Sequence, residues 1–168
     1  MSITIRSETP RDAAAIERLT AAAFRAAPHT SHTEHFIVNA LRRADRLSIS
    51  LVAEDDGEIV GHVAISPVSI SDGCDGWYGL GPISVAPERQ RQGIGGRLMI
   101  QTMAALRRLD ASGCVVLGDP DFYHRFGFKT ESSLVLPDVP PEYFQTVTLQ
   151  GPVPSGTVSY HEAFLAVE

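Results

Sequence analysis

The run from Leu80 to Leu98, LGPISVAPERQRQGIGGRL, constrains the fold more than any other stretch of the chain. It begins with β-prone residues (Leu80, Ile83, Val85) and breaks at Ala86-Pro87. It then crosses a polar segment, Glu88 to Gln92, and reaches Gly93-Ile94-Gly95-Gly96. From Arg97 onward it reads as helix. A strand that passes through a glycine turn into a helix leaves the first amides of the helix without intrahelical partners, all pointing one way. Those donors and the helix dipole together favour an anion, and glycines let a phosphate approach the main chain. Arg89 and Arg91 add positive charge beside the turn.

Spacing separates three kinds of phosphate loop. A Walker A loop requires Lys and then Ser or Thr after its last glycine, whereas Arg97 and Leu98 follow Gly96. A dinucleotide fingerprint fits Gly93 and Gly95 but meets Leu98 where its third glycine or alanine belongs. The third pattern, Q/R-x-x-G-x-G/A, is met at every fixed position by Gln90-Arg91-Gln92-Gly93-Ile94-Gly95. An ordinary glycine turn before a helix would also satisfy it, so the surrounding elements decide.

A chain of 168 residues with 43% hydrophobic and 20% charged residues suits one soluble globular domain spanning 1–168. The net charge of −6 argues against nucleic acid or an anionic membrane as partner, while leaving a local basic loop free to hold an anion. Cys74 and Cys114 lack C-x-x-C spacing and read as buried or partly buried thiols, and no metal site is expected. Met1 to Arg6 carries no apolar leader, which points to the cytoplasm.

Ile3 and Ile5 mark a short strand. A helix begins at Thr9-Pro10 and carries Ala15, Ile16, Leu19, Ala23 and Phe24 on one face. A second helix, capped by Ser31 or Thr33, faces the core with Phe36, Ile37, Ala40 and Leu41. Leu47 to Glu54 and Glu58 to Ile70 form a hairpin turned by Asp55-Asp56-Gly57. Trp77 to Val85 is the fourth strand, and Ile94 to Leu109 the longest helix, with a C-cap region near Gly113. Cys114 to Leu117 is a strand buried on both faces. Asp119-Pro120 opens a helical turn through Phe126, and Gly127-Phe128-Lys129 begins a further strand. The proline-rich segment 132–168 contains β-prone pieces (Thr146 to Leu149, Thr157 to Tyr160), and its Tyr143, Phe144 and Leu165 call for burial.

The resulting order, β-α-α-β-β-β-α-β-α-β, places the phosphate loop between the fourth strand and its helix. With Gln90-x-x-Gly93-x-Gly95 there and Tyr123-x-x-x-Gly127-Phe128 after the fifth strand, the chain resembles the GNAT superfamily of acetyl-coenzyme A-dependent N-acetyltransferases. Val116 to Pro120 is similar to a bacterial subgroup whose substrates are unsettled. The resemblance covers about residues 3–131 and implies an α/β (α+β) GNAT fold, a mixed sheet flanked by helices, with 132–168 as an extension.

It further implies that Ile83, Ser84 and Val85 pair with the pantetheine arm as an added strand, the N–H of Ile83 or Val85 polarising the acetyl carbonyl. Gln90, Arg91, Gln92, Gly93, Ile94, Gly95 and Gly96 would hold the pyrophosphate. Tyr123 stands where family members protonate the departing thiolate, a task that suits a phenol of ordinary pKa about 10. Attack by an amine also needs a base. Glu34 is the first choice, with His29, His32 and His35 beside it and His62 and Ser84 on the central strands as alternatives. Acetyl transfer to a primary amine of a small molecule or protein, by a monomer or homodimer, is the expected activity. A non-catalytic module that senses acyl-coenzyme A is the alternative.

Overall fold

The structure, a computed structural model, describes residues 2–25, 27–28 and 30–168. β1 (Ile3–Ser7) leads through a 3-10 turn, Pro10–Asp12, into α1 (Ala13–Phe24). Arg6 fixes this start: its guanidinium contacts the Asp12 carboxylate at 2.8 Å and Glu54 at 3.2 Å. α2 (Glu34–Arg43) follows, then the hairpin of β2 (Ile49–Asp55) and β3 (Glu58–Ile70). Asp56 and Gly57, both at positive φ, turn that hairpin. β4 (Trp77–Val85), α3 (Ile94–Arg108), β5 (Gly113–Leu117) and the short α4 (Pro120–Tyr123) come next. The tail supplies β6 (Leu134–Val135), β7 (Phe144–Thr148) and β8 (Gly156–Tyr160).

The sheet runs β1-β2-β3-β4-β5-β7, antiparallel except between β4 and β5. That parallel pair is a consequence of α3, which crosses over between them. α3 covers one face, where Ile94, Leu98, Met99 and Leu106 pack with Val63, Ile65, Leu80 and Cys114. A Cβ at Gly61 would lie 3.0 Å from Ile94 and 3.1 Å from Leu98, so glycine there lets the helix lie close to β3. α1 and α2 cover the opposite face, with Ile16 and Val38 on Val52. Each such side chain contributes about 1.5–3 kcal/mol by burial.

The closing strand differs from the sequence expectation. Gly127, at φ 94°, turns the chain; Phe128 enters the core, and only Lys129 pairs, in a single bridge to Thr146. The strand beside β5 is β7, drawn from the tail, in register from Gly113–Thr148 to Leu117–Phe144. The segment 132–168 thus completes the sheet, and β8 adds to the far end of β3 through Val68–Tyr160 and Ile70–Val158.

Smaller corrections share one cause, local surroundings that periodicity does not encode. α3 ends at Arg108, and Asp110 takes the left-handed turn (φ 56°) in place of a glycine near 113. Ala111 N–H then bonds Leu106 O at 3.1 Å. Gly113 instead sits under Trp77, whose ring lies 2.3 Å from where a Cβ would be. Cys74, Leu109, Leu117, Tyr143 and Leu165 are exposed, the last at 81%, while Val38 replaces Phe36 as a fully buried residue of α2.

Candidate active site

Pairing between β4 and β5 runs from Trp77–Gly113 to Leu80–Val116 and ends there. On its other side β4 continues along β3, with Ile83 opposite Val63, Ser84 opposite His62 and Val85 opposite Gly61. Gly81 and Pro82 together face the single residue Ala64, a two-against-one bulge that swings the rest of β4 away from β5. Polarity along this edge follows from alternation. Ala86 N–H donates to Val60 O at 2.9 Å, so the main-chain groups of Ser84 also face β3. Those of Ile83 and Val85 therefore point the other way, into the gap. The Val85 carbonyl already accepts from the Gln90 side chain at 3.2 Å. Both groups of Ile83 and the N–H of Val85 are left to bind an extended ligand.

The glycine loop borders the same gap. After the 3-10 turn Pro87–Arg89, Arg91 (φ 64°) and Gly93 (φ 84°) take left-handed conformations that fold the loop onto α3. Gly93 caps α3 without a side-chain bond, and Arg97 N–H is the first to close back, on Gly93 O. The amides of Ile94, Gly95 and Gly96 precede that bond and remain donors. The Ile94 side chain is core, so it can serve a ligand only through its amide. Arg89 is committed elsewhere, paired with Asp55 at 2.7 Å and bonded to Gln92 at 3.3 Å. Arg91 and Gln92 are exposed at the loop rim.

α4 forms the facing wall. A Cβ on Gly95 would lie 3.6 Å from the Phe122 ring and 3.9 Å from Val85, so the gap narrows between these side chains. Tyr123 is buried and packs edge-to-face on Phe122 and Phe128. Burial pushes its phenol well above the ordinary range, with the nearby Asp119 carboxylate adding to the effect. The hydroxyl therefore keeps its proton. Burial raises the Cys114 thiol in the same way.

On the α1/α2 face the base candidates separate. Glu34 opens α2; one carboxylate oxygen accepts from Thr30, and the other is buried without a partner. His32 is exposed and His35 half-buried against Phe36; His29 lies outside the described residues. Among the described residues no group of three His, Cys, Asp or Glu is placed to hold a metal ion. Ser84 and His62 are both buried with an unpartnered polar atom each. Three residues absent from the sequence reading join His62: Ser50 bonds its Nε2 at 2.8 Å, and Glu8, clamped by Arg42, accepts from Ser50. The one visible sign was a histidine inside the apolar run of β3.

An open strand edge beside a glycine-capped helix N-terminus suits an extended ligand that ends in a phosphate, the kind of ligand a coenzyme A-dependent acyltransferase uses. A family described as Acetyltransferase (GNAT) domain matches residues 46–130. The uncharacterized N-acetyltransferase YhbS of Escherichia coli K12 is 32% identical over 95% of this chain and 97% of its own. A crystal structure of a GNAT family acetyltransferase from Brucella melitensis in complex with acetyl-CoA is 48% identical, with TM-score 0.87 over 97% of this chain and 98% of its own. Escherichia coli YhbS in complex with CoA gives TM-score 0.86 at 33% identity, over 99% of this chain and 93% of its own. The chain belongs to the GNAT acetyltransferase family, as a GNAT-type N-acetyltransferase. No helix among the described residues is long and apolar enough to cross a membrane.

Proposed function

We propose that the chain transfers the acetyl group of acetyl-CoA directly to a primary amine in a ternary complex. The observation that carries this reading is the open edge of β4 ending at the free amides of α3. Ile83 and Val85 bond the pantetheine amides in the manner of an added strand, and one of their N–H groups supports the oxyanion. The amides of Ile94, Gly95 and Gly96 hold the pyrophosphate, Gln90 fixes the loop, and Arg91 supplies charge at its rim. The relatives solved with acetyl-CoA and CoA support the same ligand for this chain.

Glu34, through its unpartnered oxygen, receives the acceptor's ammonium and takes its first proton. Tyr123 donates to the leaving sulfur. Release of free thiol from acetyl-CoA, followed with spermidine, tyramine, glucosamine and a lysine tripeptide, tests the reading. Amine-dependent thiol release with mass-shifted product is expected, and thiol release independent of every amine would contradict it.

A further inference from the structure

His62 stands at the end of a hydrogen-bond chain that begins at the surface. Arg42 clamps Glu8 with two bonds of 2.9 Å, which holds that carboxylate ionised and below its ordinary pKa despite partial burial. An ionised carboxylate only accepts, so the Ser50 hydroxyl must spend its proton on Glu8. What Ser50 then presents to His62 is a lone pair. Nε2, 2.8 Å away, must carry the ring's proton, and Nδ1 is left bare. Glu8, Arg42 and Ser50 line a surface cleft of about 470 Å³, so this end of the chain meets solvent.

The other end does not. His62 is completely buried, and its Nδ1 has no partner. Directly across the β3–β4 ladder is Ser84, whose hydroxyl is equally buried and unpartnered. Strand alternation fixes this placement. Ile83 and Val85 turn their side chains to α3, and Ser84 and His62 share the opposite face, that of α1 and α2. The pair exchanges both main-chain bonds, the wider-spaced arrangement in a ladder, and the two unpartnered atoms do not bond each other. Two unpaired polar atoms on one buried face are costly unless water, a ligand or a reaction serves them. Ser84 lies between Ile83 and Val85, the residues read above as meeting the thioester.

Resting on the acetyl-transfer reading, we infer that His62 Nδ1 takes the second proton of the acceptor amine, relayed by Ser84 and a bridging water, while Ser50, Glu8 and Arg42 hold the ring in the tautomer that can do so. An ammonium loses two protons on becoming an amide. Glu34 takes the first, before attack. As the nitrogen–carbon bond forms, the nitrogen of the tetrahedral intermediate becomes positive and far more acidic. Ser84 accepts that second proton and passes its own to Nδ1 through one bridging water, because the two atoms are not bonded to each other. The carbon–sulfur bond breaks with its electrons on sulfur, which takes the Tyr123 proton. Return of one proton to Tyr123 and release of the other leaves one proton lost per turnover. Burial keeps His62 neutral down to about pH 4, so the bare nitrogen is ready across the neutral range. Glu8 and Arg42 are the charges that face it, Glu8 favouring the transient imidazolium and Arg42 opposing it.

Nitrogen-15 spectra of the histidine rings test the tautomer with no acceptor present. His62 is expected as the Nε2–H form from pH 5.5 to 8, and Ser50→Ala should mix the two tautomers. A Nδ1–H form or an imidazolium in the wild type overturns the inference. In turnover with the best amine of the panel, His62→Gln should lower kcat about 100-fold or more with the acetyl-CoA KM within about twofold. A folded His62→Gln protein with kcat within about threefold of wild type overturns it. If His62→Gln does not fold, Ser50→Ala decides, with about a tenfold loss in kcat expected and an unchanged kcat contradicting the inference. If no amine is acetylated, the acetyl-transfer reading fails and the role of His62 with it. If amines are acetylated but the tautomer or the kcat effect is absent, only the His62 inference fails.

Discussion

Gln90 donates its side-chain amide to the carbonyl oxygen of Val85 at 3.2 Å, joining the glycine loop to the last residue of the open β4 edge. One side chain thus sets the distance between the part of the site that meets pantetheine and the part that meets pyrophosphate. Gln90→Ala should raise the Kd for CoA about five- to tenfold, the worth of one hydrogen bond. Because Gln90 is exposed, Tm should move by no more than about 2 °C. Calorimetric titration and a thermal melt check both expectations.

The two loop arginines should separate cleanly. Arg89 is paired with Asp55, so Arg89→Ala should lower Tm slightly and leave the salt dependence of CoA binding intact. Arg91 stands exposed at the loop rim, so Arg91→Ala should weaken CoA and flatten that salt dependence. Affinities measured at two ionic strengths distinguish them; equal effects would remove the assignment.

Tyr123→Phe keeps the ring between Phe122 and Phe128 and removes only the hydroxyl. It should reduce kcat by about 100-fold while the Kd for CoA stays within about twofold. Unchanged turnover would show that the thiolate finds its proton elsewhere.

His62 also predicts a pH dependence of stability. Its folded pKa, about 4, lies below the ordinary 6.5 because burial disfavours the charged ring. Between these values the unfolded chain binds more protons, so stability present above pH 6.5 is lost as pH falls toward 4. The loss is about 3 kcal/mol in the limit. Urea titrations at pH 7, 5.5 and 4.5 should show it in the wild type, and a folded His62→Gln protein should lack this component.

The elements of the candidate donor site were legible because they are local. The strand, the glycine turn and the start of α3 are contiguous from Leu80 to Leu98, and each residue's conformation follows from its neighbours. The chain's closure was not. Gly127-Phe128-Lys129 has the composition of a strand, yet Phe128 is drawn into the core and the ladder place goes to Phe144–Thr148, a choice made by long-range packing. The polar chain from Arg42 to His62 was hidden for a related reason. Glu8, Arg42, Ser50 and His62 come from four separate parts of the sequence, and only the fold of β2 and β3 brings them together. Glu34 stood out as a carboxylate at a helix start, but its unpartnered oxygen is a property of the folded chain.

Gly95→Trp tests the gap by filling it. The new side chain would project toward Phe122 and Val85 from a partly buried position at the start of α3. The variant should fold, by circular dichroism, and lose CoA binding by more than about 100-fold. Retained tight binding would place the ligand elsewhere.

The central claim, that CoA lies along the free edge of β4 and ends on the amides of α3, is tested most directly by residue-resolved amide hydrogen exchange with and without CoA. The account predicts new protection at Ile83, Val85, Ile94, Gly95 and Gly96, with Ser84, already bonded to β3, unchanged. CoA binding that leaves Ile83, Val85 and the α3 amides exchanging as before would contradict it.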